Sequence, residues 1–232
     1  AVDSLAAIKK FVYDEKTISL HDLAKSLQSN FSGNEPLRQK LINRAPKYGN
    51  DNDYADAFMK DLAEFFCRRV MTHRNPRGGK FQAGLYTVNW HEILGKATGA
   101  LPDGRVSSKS LANGLSPSQG RDRTSPTAVL KSATKFDHSA ISNGLVLDVK
   151  FHPTALSGPD GLEKFMSLFR TYFSMGGMEI QVNVVDRKTL IEAQQFPEDY
   201  GDLVVRVSGF SAYFTRLSRE LQDEIIARSQ YR

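Results

Sequence analysis

Apolar residues recur along this chain at two different spacings, and the change falls near Arg74. Before it the spacing is helical. Leu5, Ile8 and Val12 mark one face of a first helix, and Ser19 is placed to cap a second in "SLHDLAKSLQSNF", its hydroxyl accepting from free first-turn amides. "EPLRQKLINRAPKYGNDND" supplies a third short helix, stopped by Pro46. In "DYADAFMKDLAEFFCRRVMTHR", Tyr54, Phe58, Leu62 and Phe65/Phe66 return at helical intervals; such a stripe reads as core rather than as a cofactor box.

After "NPRGGK" strands alternate with helices. "KFQAGLYTV", "GLVLDVKFH", "MEIQVNVV" and "DLVVRV" read as strands, the last as one covered on both faces. "GPDGLEKFMSLFRTYFSMG" and "DRKTLIEAQQFPEDYG" read as helices between the last three. That alternation implies βαβ units and a parallel sheet, curved into a barrel or part of one. The stretch 95–125, with "GALPDGR" and "GLSPSQGRD", is a long loop expected to be functional or packed against something.

Composition narrows the function classes. Hydrophobic residues make up 40% and charged residues 25% of 232, which is ordinary for a folded domain. Lys plus Arg exceeds Asp plus Glu by 31 to 26, but the charges interleave, so no nucleic-acid stripe is expected. No stretch has the length of a membrane span, and no signal-peptide pattern opens the chain. With Cys67 as the only cysteine, a disulfide framework is excluded, and the reading is a reduced, cytoplasmic protein. Cys67 itself, in "LAEFFCRRVM", reads as a small core residue. Five histidines are scattered, and neither His91 in "NWHEILG" nor the others join a ligand set, so no metal is expected. Because "AVDSLAAIKKFVYDEK" opens inside a helical pattern without Met, the chain is expected to be a piece of something longer.

One stretch resists the ordinary reading. In "VVRVSGFSAYF" a glycine, Gly209, interrupts a strand pattern, and alone it reads as a turn residue. Yet "RVSGFSAYF" followed by "LSRELQDEIIARS" closely resembles the C-terminal signature of glycyl radical enzymes. "HRNPRGGKFQAGLY", "TGALPDGR", "LANGLSPSQGRDRTSPTAVLKS", "NGLVLDVKFHPTAL" and "QVNVVDRKTLIEAQQFPEDYGDL" resemble successive blocks of the pyruvate formate-lyase-like branch. "KFHPTALSGPDGL" is most similar to the glycerol and diol dehydratase members.

The resemblance implies the C-terminal half of a ten-stranded α/β barrel with a glycyl radical domain. The expected division is a helical segment 1–75, barrel strands and helices 76–186, and the radical domain 187–232. Gly209 would store the radical, supported by Arg206, Ser208, Phe210, Ser211 and Tyr213. Nothing would be bound as a cofactor; the radical would be installed by an S-adenosylmethionine and iron–sulfur activase once the loop swings out. The family's thiyl-forming cysteine loop has no counterpart here, so the first barrel half is a missing partner and the piece alone is expected to be inactive. A small-molecule substrate, a homodimer and an anaerobic setting are implied as well. A stand-alone radical module and a non-catalytic binding domain are the rival readings. On chemical grounds, a Cα radical is flat and its loop should be buried and dry. Arg206 should then find a carboxylate or carbonyls, and Tyr213 a partner for its hydroxyl.

Overall fold

The computed structural model describes residues 1–231. Helix α1 (Val2–Ile8) runs on as a wider π turn, Lys9–Asp14, and packs against the long helix that begins at Asp53. Helices α2 (Leu20–Gln28), α3 (Glu35–Arg44) and α4 (Asp53–Met71) follow. Ser19 caps α2 as its sequence context predicts, its Oγ accepting from the Asp22 amide at 3.0 Å. Ser19→Ala should lower stability by about 1 kcal/mol, read by urea unfolding; no change would mean that the cap contributes nothing here. Phe11, Leu23, Phe31, Leu41 and Ala45 close a first apolar cluster between these helices.

The aromatic stripe of α4 does not enter a core. Its buried face is Ala55, Asp56, Ala63 and Cys67, whereas Phe65 and Phe66 are 57% and 42% exposed. The buried face carries mostly small side chains and the aromatics lie off it. Cys67 is a buried core residue, as expected.

The predicted strand at 80–88 is also absent. Only isolated bridges remain there, Lys80 antiparallel to Arg74 and Leu85 parallel to Leu145, ahead of α5 (Trp90–Ala97). The long loop is packed: Arg105 donates to the carbonyls of Gly95 and Gly99, both at 2.7 Å. Asn113 and Leu115 are buried. Gly114, at φ +52°, brings the chain against Val146, whose carbonyl would lie 2.6 Å from a Cβ there. Helix α6 (Pro126–Ala133) follows.

Strand β1 (Asp148–Phe151), helix α7 (Gly158–Ser174) and strand β2 (Gln181–Val184) form the expected βαβ unit. The strands are parallel, Asp148 opposite Gln181 and Phe151 opposite Val184. Alternation along β1 sorts its side chains. Val149 and Phe151 join the large cluster with Phe165 and Phe169 of α7. Asp148 and Lys150 are buried on the other side, where their contacts are with the last part of the chain.

That last part folds around its own apolar cluster, which includes Leu190, Val205, Val207, Phe214, Leu221 and Ile225. It comprises α8 (Arg187–Gln195), β3 (Val204–Arg206), β4 (Ser211–Tyr213) and α9 (Arg219–Ala227). Here the parallel expectation fails: β3 pairs antiparallel with β4, Val204 opposite Tyr213 and Arg206 opposite Ser211. Nor is β3 covered on both faces, since Val204 is exposed while Val205 is buried. A two-residue connection can only return the chain antiparallel.

Candidate functional site

Gly209 sits at the tip of the β3–β4 hairpin. Val207 donates its amide to the Phe210 carbonyl at 2.9 Å, leaving Ser208 and Gly209 as the connection. Gly209 has φ +87°, a conformation that a Cβ disfavours. A Cβ built there would meet nothing within 4 Å. The need for glycine is therefore conformational rather than a matter of crowding by neighbours. Within this chain the flanks Val205, Val207 and Phe214 are buried, and no described residue covers Gly209.

The other expected supports divide. Ser208 is buried, and its Oγ has no hydrogen-bond partner among the described residues. Phe210 packs on the last apolar cluster. Among the described residues the Arg206 guanidinium meets no carboxylate or carbonyl; it is half-buried and donates to Ser211 Oγ across the hairpin at 3.1 Å. Tyr213 is 44% exposed. Water can serve its hydroxyl, and the Arg216 guanidinium lies 5.1 Å from its ring centre.

The base of the hairpin is fastened by residues that sequence reasoning did not single out. Asn183 of β2 donates its Nδ2 to the Arg206 carbonyl at 2.9 Å and accepts the Arg206 amide at 2.8 Å. It thus does for β3 what a neighbouring strand would do. The Val207 carbonyl accepts from Asn113 Nδ2 at 3.1 Å and from Arg228 Nη2 at 2.9 Å. Asn113 also donates to Asp148 Oδ2 at 2.6 Å, and its Oδ1 accepts the Thr87 hydroxyl. Because that hydroxyl proton is spent on Asn113, His91 Nδ1, 2.8 Å from Thr87 Oγ1, is the donor of its pair. His91 Nε2 then faces Glu224 at 3.8 Å.

Two carboxylates share one guanidinium in this node. Glu224 takes Arg228 at 2.9 Å, and Asp148 lies 3.4 Å from it. Burial alone would raise the Glu224 pKa, but Arg228 and His91 overcome it and hold the carboxyl at about 2. Asp148 goes the other way. Burial, opposed by Arg228 but reinforced by Glu224, pushes it up to about 7. Lys150 is buried as well and donates to the carbonyls of Ile225 and Ile226, at 3.0 and 3.1 Å, at the end of α9. Burial and the neighbouring Arg228 and Arg187 lower its pKa to about 8. The one hint of these groups in the sequence is the alternation Asp-Val-Lys-Phe and Gln-Val-Asn-Val in β1 and β2, which sets polar residues on a buried sheet face.

The node can position a loop, but it is no substrate pocket. The cavity beneath it measures about 20 Å³, room for a water and not for a metabolite. Cys67 belongs to a different cluster from the hairpin, and burial raises its thiol pKa. Among the described residues no group of His, Cys, Asp or Glu is arranged to hold a metal. Among the described residues no helix is long and apolar enough to cross a membrane.

Known proteins match this chain along its length. A pyruvate formate lyase-like family model matches residues 1–95, and a glycine radical model matches residues 111–215. Trans-4-hydroxy-L-proline dehydratase of Clostridioides difficile is 42% identical over 98% of this chain and 29% of its own length. The glycerol-bound B12-independent glycerol dehydratase from Clostridium butyricum superposes with a TM-score of 0.95 at 46% identity, over 99% of this chain and 29% of that one. A Roseburia inulinivorans protein solved for 1,2-propanediol dehydration gives 0.95 and 46%, over 99% and 30%. The chain thus spans under a third of the length of these relatives, and its α/β fold matches a portion of their barrel. With both family models matched in order and the glycine hairpin in place, the chain belongs to the glycyl radical enzyme family.

Proposed function

We propose that this chain is the radical-storing portion of an oxygen-sensitive lyase or dehydratase acting on a small polar metabolite, and that Gly209 carries the radical. One observation supports the reading most: Gly209 stands at a hairpin tip, at φ +87°, while the carbonyls of Arg206 and Val207 behind it are pinned by three side chains. The base of the hairpin is thereby fixed while its tip keeps a conformation that favours glycine.

The chemistry is a hydrogen-atom transfer. An S-adenosylmethionine and iron–sulfur activase would supply the hydrogen-atom acceptor, its reduced cluster providing the electron. One hydrogen atom would leave the Gly209 Cα to it, and the unpaired electron would stay on Cα, shared with the flanking amide and carbonyl. In the whole enzyme the stored radical re-forms by exchange with a cysteine thiyl that attacks substrate; Cys67, in its helix, is not that cysteine. Residues from 187 onward act as the radical unit, an assignment supported by their separate apolar cluster. The exposed Phe65, Phe66 and Trp90 are surfaces for the remainder of the enzyme to cover.

The test is EPR on the whole enzyme, treated with its activase under anaerobic conditions. A doublet is expected, split by the one hydrogen left on Cα, and it should collapse to a singlet when the protein is grown on α-deuterated glycine. A spectrum indifferent to that label would put the radical on another residue type.

A further inference from the structure

We propose that Asp148 is a positioning residue whose proton sets how firmly the Gly209 hairpin is seated. The inference rests on reading Gly209 as the radical carrier and names the group that regulates its release. Asn113 Nδ2 has two hydrogens and spends one on Asp148 Oδ2 and one on the Val207 carbonyl. Its Oδ1 is held by Thr87, so the amide cannot turn without losing Asp148. The hairpin is therefore held through the state of one carboxyl.

That carboxyl is badly placed for a charge. Its Oδ1 is buried with no hydrogen-bond partner, and the Arg228 guanidinium beside it is already engaged by Glu224 through two oxygens. The charged groups acting on it are Glu224 of α9, Arg228 just past its end, Arg206 from β3 and Glu179 ahead of β2. Lys150 lies two residues along β1, and His91 of α5 lies beyond Glu224. Two carboxylates to one guanidinium favour a neutral Asp148 while the hairpin is seated.

Lifting the hairpin lets water reach Asp148, which then ionises in the ordinary carboxylate range. The seated form binds the proton that the lifted form releases, so raising the pH favours lifting. The effect begins above the usual carboxylate value and levels off once the pH passes about 7. Between about pH 5.5 and about pH 8 the opening constant should rise roughly thirtyfold.

Hydrogen-exchange protection factors for the amides of Arg206 and Val207, measured by mass spectrometry in the whole enzyme, read this directly. They should fall about thirtyfold over that range in the native protein. In Asp148→Asn they should stay flat at the acid-side level. A flat native profile, or a native slope retained in the variant, overturns the proposal. Should Asp148→Asn not fold, Asn113→Ala tests the same connection: low protection at every pH is expected, and a retained slope rejects it. EPR on the same samples separates the two readings. A native protein with the pH-dependent protection but no glycyl doublet would leave the Asp148 seat standing and remove Gly209 as radical carrier.

Discussion

Gly209→Ala is expected to abolish the glycyl EPR signal while leaving the hairpin folded. The two halves of that statement have different physical sources. Folding should survive because a Cβ at Gly209 meets nothing within 4 Å. The cost is then only that of an L-residue at φ +87°, about 1–2 kcal/mol. The signal should vanish because a Cα radical must be planar to share its electron with both neighbouring peptide groups. A methyl group in that plane collides with the adjacent amide or carbonyl, which a hydrogen avoids. Gly144→Ala is the matched control. Gly144 also has a positive φ, +99°, with open space around a built Cβ. It should incur the same backbone cost and keep the doublet. A doublet surviving in Gly209→Ala would place the radical elsewhere, and one lost in both variants would point to folding rather than chemistry.

How much of this was legible in the sequence depended on the range of the signal. The α2 cap, β1, α7 and β2 follow from local spacing, and each has the residues at hand that define it. The β3–β4 pairing was missed because β4 is only Ser211–Tyr213, too short for alternation to show, and because a Ser-Gly connection also reads as a strand end. The aromatic stripe of α4 has the right period for a core, but period alone does not say which face finds a neighbour. The face that is buried in α4 carries Ala55, Asp56, Ala63 and Cys67, and α1 is among the elements packed on the helix. The node under the hairpin was beyond local reading altogether. Thr87, Asn113, Asp148, Asn183, Glu224 and Arg228 come from separate segments, and only the fold brings them to the carbonyls of residues 206 and 207. Gly209 itself was found by resemblance, not by periodicity. Its local context supports a turn equally well, and what the structure adds is the geometry of its support.

Arg228→Met should destabilise the fold by about 3–5 kcal/mol near neutral pH, because it strands the buried Glu224 carboxylate rather than merely deleting a contact. Arg228 is 9% exposed and donates to Glu224 and to the Val207 carbonyl. Methionine keeps much of the length and none of the charge. Without the cation, burial dominates Glu224 and its pKa climbs from about 2 to above the ordinary carboxylate value. The sign of the pH dependence therefore reverses. In the native chain the Glu224 contribution is present above its unfolded pKa and is lost as pH falls through about 2. In the variant, the folded state takes up the proton more readily than the unfolded one, so acidification from about pH 8 to about pH 5 should recover part of the loss. Urea unfolding at both values measures it. Adding Glu224→Gln to Arg228→Met should recover more, since the glutamine needs no counter-charge and can still accept from Gln119, which now donates to Glu224 Oε1 at 2.9 Å. A loss below about 1 kcal/mol, or one indifferent to pH, would mean that the buried Glu224 carboxylate does not depend on Arg228. The base of the glycine hairpin would then be held by Asn113 and Asn183 alone.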